Sequence, residues 1–423
     1  MERKIDEFLK KWKNDLIRKP LVIYGSKQVG KTFTVLEFGK REYKNVVYFN
    51  TNNYPELVDL FKKEKAIDKI IVSLSLISGE TILENDTLVV LDSVNDLDIV
   101  KGVKLFDQSS YHIIMITSRR ENLKSFKGVE LQFKSMYEMD FEEFLWARGE
   151  KQLADLIRES FEKRKTCPFH KLAMELFDDY LFTGGLPEIV YSFIQGENTF
   201  QLEARKEKIL DSYQKEIALS SVLIDIPRGI EVLKSVPQQL EKENKKFQYG
   251  LLGRGRRAKE YESTIQYLVN NQVLGRSYKI QTIKSPLSSC RIEDSFKLYL
   301  LDDGLLYSMM HLSRKKFMSD EVVRETLYEN HIAKTLLEAG YSLYYYQSGG
   351  KAEVNFVVQN RMGKIIPIEI TTRAMSKAKS LSVLMKKFTV TEAYRITENN
   401  FSTKKEIRYL PVYSIFCLND SKM

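Results

Sequence analysis

Residues 21–38, LVIYGSKQVGKTFTVLEF, constrain this chain more than any other stretch. The run Leu21-Val22-Ile23-Tyr24 reads as a short buried strand. It is followed by Gly25-Ser26-Lys27-Gln28-Val29-Gly30-Lys31-Thr32, a full match to G-x-x-x-x-G-K-[ST]. The next residues, up to Phe38, are apolar enough to open a helix. Strand, glycine-bounded loop and helix start are the context this motif requires.

The spacing has a chemical reason. Gly25 and Gly30 are expected to adopt backbone conformations closed to residues with a Cβ, so that the loop turns its N–H groups inward around a phosphate chain. The start of the following helix adds free N–H groups and the positive end of its dipole. Lys31 is expected to reach the β- and γ-phosphates of a nucleoside triphosphate, and the Thr32 hydroxyl to bind Mg²⁺.

Downstream, Thr87-Leu88-Val89-Val90-Leu91-Asp92 reads as an apolar strand ending in an acid. An aspartate at the C-terminal end of a strand sits where open α/β sheets bind ligands, so Asp92 is expected to hold Mg²⁺, directly or through water. Another strand, residues 112–116, runs into Thr117 and Ser118. Ser118 is placed equally well for a sensor of the γ-phosphate or attacking water and for a polar turn. Arg119 and Arg120 follow, to meet phosphate or to solvate the next helix. Alternating strands and helices over residues 20–135 predict a parallel, doubly wound sheet.

The 423 residues are enough for two or three domains. The longest apolar runs fall short of the ~20 residues of a membrane span. The N-terminus, MERKIDEFLKKWKNDLIRK, is a charged amphipathic helix over residues 1–19 and not a secretory signal. Three distant cysteines, Cys167, Cys290 and Cys417, argue a reducing, cytoplasmic setting without a disulfide framework. Four scattered histidines give no zinc spacing. A net charge of +9 permits a nucleic-acid or acidic partner, and a lysine-rich solvated surface accounts for it equally well.

Residues 45–50 read as a further strand of the first domain and residues 56–85 as mainly helical. Residues 138–165 form a charged amphipathic helix or pair of helices. Helices over residues 202–275, a Gly/Arg loop carrying Arg254, Arg256 and Arg257, and strand-like residues 278–283 suggest a winged-helix unit. Residues 327–418 return to α/β, with strands near 342–347, 353–359, 365–371 and 412–416.

Taken in order, the Gly25-to-Thr32 loop, Leu88-Val89-Val90-Leu91-Asp92, Asp140-Phe141-Glu142-Glu143-Phe144-Leu145, Gly184-Gly185-Leu186-Pro187-Glu188, Lys246-Phe247-Gln248-Tyr249, the stretch from Phe296 through Asp302-Asp303-Gly304 to Leu306, and Pro367-Ile368-Glu369-Ile370 resemble the prokaryotic AAA-type ATPases that carry a C-terminal domain of unassigned function. The resemblance implies ATP rather than GTP, with Mg²⁺. It also implies three parts: an ATP-binding P-loop domain at 1–150, a helical and winged-helix-like region at 151–312, and a restriction-endonuclease-like α/β domain at 320–423.

Two departures from that family bear on function. There the strand-end aspartate is followed by a glutamate that polarises the attacking water; here Asp92 is followed by Ser93, with Asp96 as a nearby substitute. Losing such a group costs ~10²–10⁴-fold in rate. A nuclease core of the implied type needs an acid at a strand bend and Glu-x-Lys on the next strand. Those places hold Asn355, then Glu369 and Thr371, with Glu329, Glu353, Lys364 and Arg373 as the remaining candidates to assist. A nuclease-like fold without nuclease activity is expected. The sequence thus points to a Mg-ATP-binding conformational switch, slow or non-hydrolysing, coupled to a partner. Two alternatives stay open: a working ATPase that remodels nucleic acid or protein, and a nucleic-acid-binding module in which the nucleotide is structural. Oligomers are compatible with each reading.

Overall fold

The computed structural model describes residues 1–118, 130–219, 225–347, 353–372 and 378–419. Arg119, Arg120 and Arg373 lie outside the described residues. The chain divides into two compact units, residues 1–138 with 270–272, and residues 139–269 with 273–423.

The first unit is built on five parallel strands: β1 (Leu21–Tyr24), β2 (Asn45–Asn50), β3 (Thr87–Asp92), β4 (His112–Thr117) and β5 (Gln132–Ser135), in the order β2-β3-β4-β1-β5. The strands are continuous apolar runs because both faces are covered. Val22, Val47, Phe49, Val89, Leu91 and Ile113 point to the helices Glu56–Lys63, Ile67–Ser78 and Leu97–Val103. Alternating with them, Leu21, Ile23, Leu88, Val90 and Ile114 point to the helices Ile5–Lys13 and Lys31–Glu42.

The N-terminal helix is shorter than residues 1–19 suggest. It ends at Lys13, and the chain folds back so that Trp12 Nε1 donates to the Lys19 carbonyl at 2.8 Å. Residues 56–85 form two helices, because the Glu64 carboxylate takes the N–H groups of Lys65 and Ala66 and interrupts the helix there. Residues 138–165 also form a pair, Phe141–Ala147 and Lys151–Glu162.

His112, at the start of β4, is 3% exposed, with the Tyr43 hydroxyl 2.6 Å from its Nδ1. Burial, with Arg18 and Lys13 behind it, pushes its pKa down to about 3 from the usual 6.5. The unfolded chain therefore takes up a proton that the folded unit refuses. Stability is intact above pH 6.5 and falls as the pH drops towards 3. Between pH 6.5 and 5 the loss from this one group is about 2 kcal/mol. Urea unfolding at pH 7.5 and 5 should show His112→Gln less acid-sensitive than wild type; equal pH dependence would refute the assignment.

The second unit centres on an eight-stranded mixed sheet: β6 (Leu274–Ile280), β7 (Arg291–Leu300), β8 (Leu343–Gln347), β9 (Glu353–Gln359), β10 (Ile365–Ile370), β11 (Ala393–Thr397), β12 (Ser402–Lys404) and β13 (Ile407–Pro411). Their order is β12-β13-β11-β10-β9-β8-β6-β7. The hairpin β6–β7, expected to stand as a wing in the middle region, instead extends the C-terminal sheet, with β6 parallel to β8. Residues 412–416, expected as a strand, are 3-10 helical (Val412–Asn419). Helix Glu321–Glu338 covers one face of the sheet through Leu327, Ile332 and Leu336, and helix Ala378–Phe388 the other through Leu381 and Leu384.

Three of the quoted sequence motifs meet in this unit. Asp140 caps helix Phe141–Ala147 in a reciprocal box with Glu143. The preceding residue, Met139, donates its N–H to the Gly185 carbonyl at 2.7 Å. Gly185 N–H in turn donates to Asp302 Oδ2 at 2.8 Å, while Asp302 Oδ1 caps helix Asp303–Met309 through Leu305 N–H. The Asp-Phe, Gly-Gly and Asp-Asp-Gly elements are thus one hydrogen-bonded joint. Among the described residues no helix is long and apolar enough to cross a membrane.

Candidate functional site

The loop between β1 and helix Lys31–Glu42 closes at the C-terminal edge of the parallel sheet. Gly30 forms its last turn with φ 90°, a left-handed conformation that favours glycine. Gly25 is required for a different reason from the one expected: its φ is not left-handed, but a Cβ there would lie 2.0 Å from the Met136 carbonyl oxygen. Val29 anchors the loop in the core, Lys27 is half-buried, and exposed Gln28 takes a left-handed φ of 66°. Ser26 Oγ donates to Glu138 Oε1 at 3.0 Å.

Lys31 is folded back over the loop, its ammonium donating to the carbonyls of Gly25 (2.9 Å) and Ser26 (2.6 Å). Thr32 Oγ1 donates to Asp92 Oδ2 at 2.6 Å. The two residues proposed from sequence as metal ligands, 60 positions apart, are therefore in direct contact. A hydroxyl and a carboxylate are hard oxygen donors suited to Mg²⁺, so the residues present fit such an ion. Asp92 is 8% exposed. Its other oxygen, Oδ1, accepts the N–H of Ser93 at 2.5 Å.

Ser93 takes a left-handed φ of 61°, and its carbonyl accepts the Thr51 hydroxyl at 3.0 Å. Asp96, the nearby substitute carboxylate, caps helix Leu97–Val103 by accepting Asp98 N–H at 2.7 Å. Ser118 follows Thr117, which pairs with Tyr24 just before the loop, so it sits at the loop's end of the sheet and is half-buried.

Two residues here were not legible as site residues. Tyr48 on β2 donates its hydroxyl to Asp92 Oδ2 at 3.0 Å. Burial and the neighbouring Asp92 charge push the Tyr48 pKa up to about 12, so it keeps its proton. Arg3 braces the loop, donating to the Val29 carbonyl at 2.9 Å and the Tyr137 carbonyl at 2.8 Å. A lone tyrosine on a strand and an arginine near the chain start carry no spacing signal.

The second candidate centre, in the C-terminal sheet, is assembled differently from expectation. The β8–β9 register shifts so that Asn355 and Phe356 together face Tyr345. Asn355 donates to Glu329 Oε2 at 3.0 Å and accepts Ile370 N–H at 3.0 Å. Glu329 also receives Lys245 (2.9 Å), Lys297 (3.0 Å) and the Tyr299 hydroxyl (2.8 Å). Burial alone raises its pKa, but Lys245 and Lys297 overcome that and hold it well below the usual carboxylate range. Glu369 lies elsewhere. Ile368 and Ile370 face the core of helix Glu321–Glu338, so Glu369 alternates to the other face. There Arg395 grips Glu369 Oε2 with two N–H groups at 2.9 and 2.6 Å. Thr371 extends the pairing of β10 with β11, its N–H donating to Ile396, and Lys364 pairs with Glu392. Asn355, Glu369 and Thr371 therefore do not converge on Glu329. Among the described residues no group of three or more His, Cys, Asp or Glu is placed to hold a metal.

In comparison with known proteins, residues 17–145 match an AAA domain, residues 174–316 a domain of unknown function, DUF8612, and residues 324–415 another, DUF4143. No curated protein matches. Among solved structures, a Walker-type ATPase of Pyrococcus abyssi is similar at 12% identity and a TM-score of 0.42, over 73% of this chain and 95% of that one. The RuvB Holliday junction branch migration motor of Thermotoga maritima is similar at 14% identity and a TM-score of 0.29, over 64% of this chain and 89% of that one. A RuvB variant from the same organism gives 13% and 0.29, over 64% and 85%. Residues 17–145 thus form an AAA domain, followed along the chain by the DUF8612 and DUF4143 domains.

Proposed function

We propose that this protein binds Mg-ATP at the Gly25-to-Thr32 loop, hydrolyses it slowly or not at all, and signals by nucleotide occupancy rather than turnover. The observation that carries this is the 2.6 Å contact between Thr32 and Asp92, at the end of a loop whose lysine is already folded over it. When bound, Mg²⁺ supplies charge neutralisation to the β- and γ-phosphates. The chain itself supplies loop N–H groups, the Lys31 ammonium, which exchanges its carbonyl partners for phosphate oxygen, and the oriented Thr32 and Asp92 oxygens. Ser93 supports the slow step: a neutral hydroxyl stands where a carboxylate base is needed, and Asp96 is engaged as a helix cap. Ser118 is assigned here as the sensor. A cytoplasmic setting suits three free cysteines. In this reading residues 1–150, 151–312 and 320–423 serve as ATP-binding, relay and output parts, the last without nuclease activity. A nucleic-acid partner for the relay part is favoured by the exposed side chains of Arg254, Arg257 and Lys259.

The test is thermal unfolding with and without millimolar Mg-ATP. Wild type is stabilised, because a ligand that binds only the folded state shifts the equilibrium by mass action. At ligand about 100 times Kd the gain is ~2.7 kcal/mol. Lys31→Ala loses that shift. A wild type that does not respond at all would sink the reading.

A further inference from the structure

Residues 270–272 belong to the first unit although the chain on both sides belongs to the second. They link helix Ala258–Asn270 to β6, more than 200 positions after the nucleotide loop. Gln272, the last of them, is 4% exposed and takes a left-handed φ of 57°, a conformation unfavourable for a residue with a Cβ. Both of its amide atoms, Nε2 and Oε1, are buried without a hydrogen-bond partner among the described residues. A Cβ built on Gly25, the first residue of the loop, would lie 3.5 Å from Gln272 Oε1.

Each of these features lowers stability. A buried amide with neither its donors nor its acceptor satisfied is costly, and strained backbone persists where surrounding structure enforces it, above all at ligand sites. The Gly25-to-Thr32 loop lies beside the amide, and a phosphate held by that loop would relieve it. A terminal amide can turn over, so its NH₂ faces the loop at no steric cost.

We propose that Gln272 is a nucleotide-binding residue, its NH₂ group donating to the phosphate chain held by the Gly25-to-Thr32 loop. The inference rests on the nucleotide-binding reading above and extends it to a residue from a remote segment of the chain. The contact is to phosphate rather than base, because its neighbour is the phosphate-reading loop.

The experiment uses the full chain and measures Mg-ATP and Mg-GTP affinity by calorimetry, with unliganded thermal unfolding alongside. Gln272→Leu should weaken both nucleotides by the same factor, about tenfold or more, as for a lost hydrogen bond to a charged group. Its unliganded melting temperature should equal or exceed that of wild type, because two unsatisfied polar atoms are gone. A purely packing role predicts the reverse: a lower melting temperature and unchanged affinity. Weaker ATP with stronger GTP binding would make Gln272 a base reader and overturn the phosphate contact. Should Gln272→Leu fold poorly, Gln272→Glu keeps the shape and sets a carboxylate against phosphate, so it should weaken both nucleotides further; wild-type affinity in that variant overturns the proposal. Wild type binding no nucleotide overturns the nucleotide-site reading and this inference with it, whereas a binding wild type with unaffected variants overturns this inference alone.

Discussion

Glu329→Gln lowers the stability of the second unit by about 3–5 kcal/mol, the cost of leaving buried charge uncompensated. Glu329 is 1% exposed and sits among four donors: two ammonium groups, a phenol and an amide. Lys297, equally buried, also reaches Glu353 at 2.5 Å. The cluster ties helix Glu321–Glu338 to β7, β9 and the segment at Lys245. With the carboxylate neutralised, two buried cations face one partly exposed acid. The pair is best tested as a cycle: Lys297→Met added to Glu329→Gln should recover part of the loss, because one of the two buried cations left without the carboxylate is then gone, while Lys245 stays charged. The readout is the denaturant midpoint of the second unit's transition. A loss under ~1 kcal/mol for Glu329→Gln would show that water reaches the cluster and that the pairs act like surface salt bridges. The acid side has a defined sign: the Glu329 pKa is depressed, so its contribution is present at neutral pH and is lost as the pH falls below the usual carboxylate value.

That cluster marks how far the sequence carries. The nucleotide loop was legible because its function is written in local spacing: two glycines, a lysine and a threonine at fixed offsets between a strand and a helix. Asp92 was legible because an apolar strand ending in an acid is also local. Tyr48, Arg3 and Gln272 approach Asp92 or the loop from distant parts of the sequence, and nothing in their neighbours along the chain marks them. The C-terminal residues fail for a related reason. Asn355 and Glu369 occupy familiar places along two strands, but whether their side chains share a face depends on the register shift between β8 and β9, which sequence alternation does not reveal. Likewise residues 278–283 read as strand-like, yet which sheet β6 joins depends on a parallel partner, β8, more than 60 residues later. Gly25 shows a finer limit: glycine was expected for its φ and is required by the Met136 carbonyl, 111 residues away.

Wild-type turnover should lie below ~1 s⁻¹, the low end for ordinary enzymes, and Ser93→Glu should raise it at least ~10-fold, recovering part of the ~10²–10⁴-fold that a positioned base contributes. The geometry is specific about why. Ser93 comes directly after Asp92, the residue proposed above to hold Mg²⁺. Its left-handed backbone, fixed by its own N–H on Asp92 Oδ1 and by the Thr51 hydroxyl on its carbonyl, sets the direction of the Cα–Cβ bond. Serine and glutamate both carry a Cβ, so the substitution adds no new penalty from φ. Ser93→Gly serves as the control: it relieves the strained φ and stabilises the unit by about 1 kcal/mol, while leaving turnover at the wild-type level. Together the two variants separate strain from chemistry. If turnover rises in the glycine variant as well, the limit is backbone rigidity next to Asp92 and not the missing base. If wild type already runs at ~10 s⁻¹, near the enzyme median, another group activates water, and the protein works by turnover rather than by occupancy.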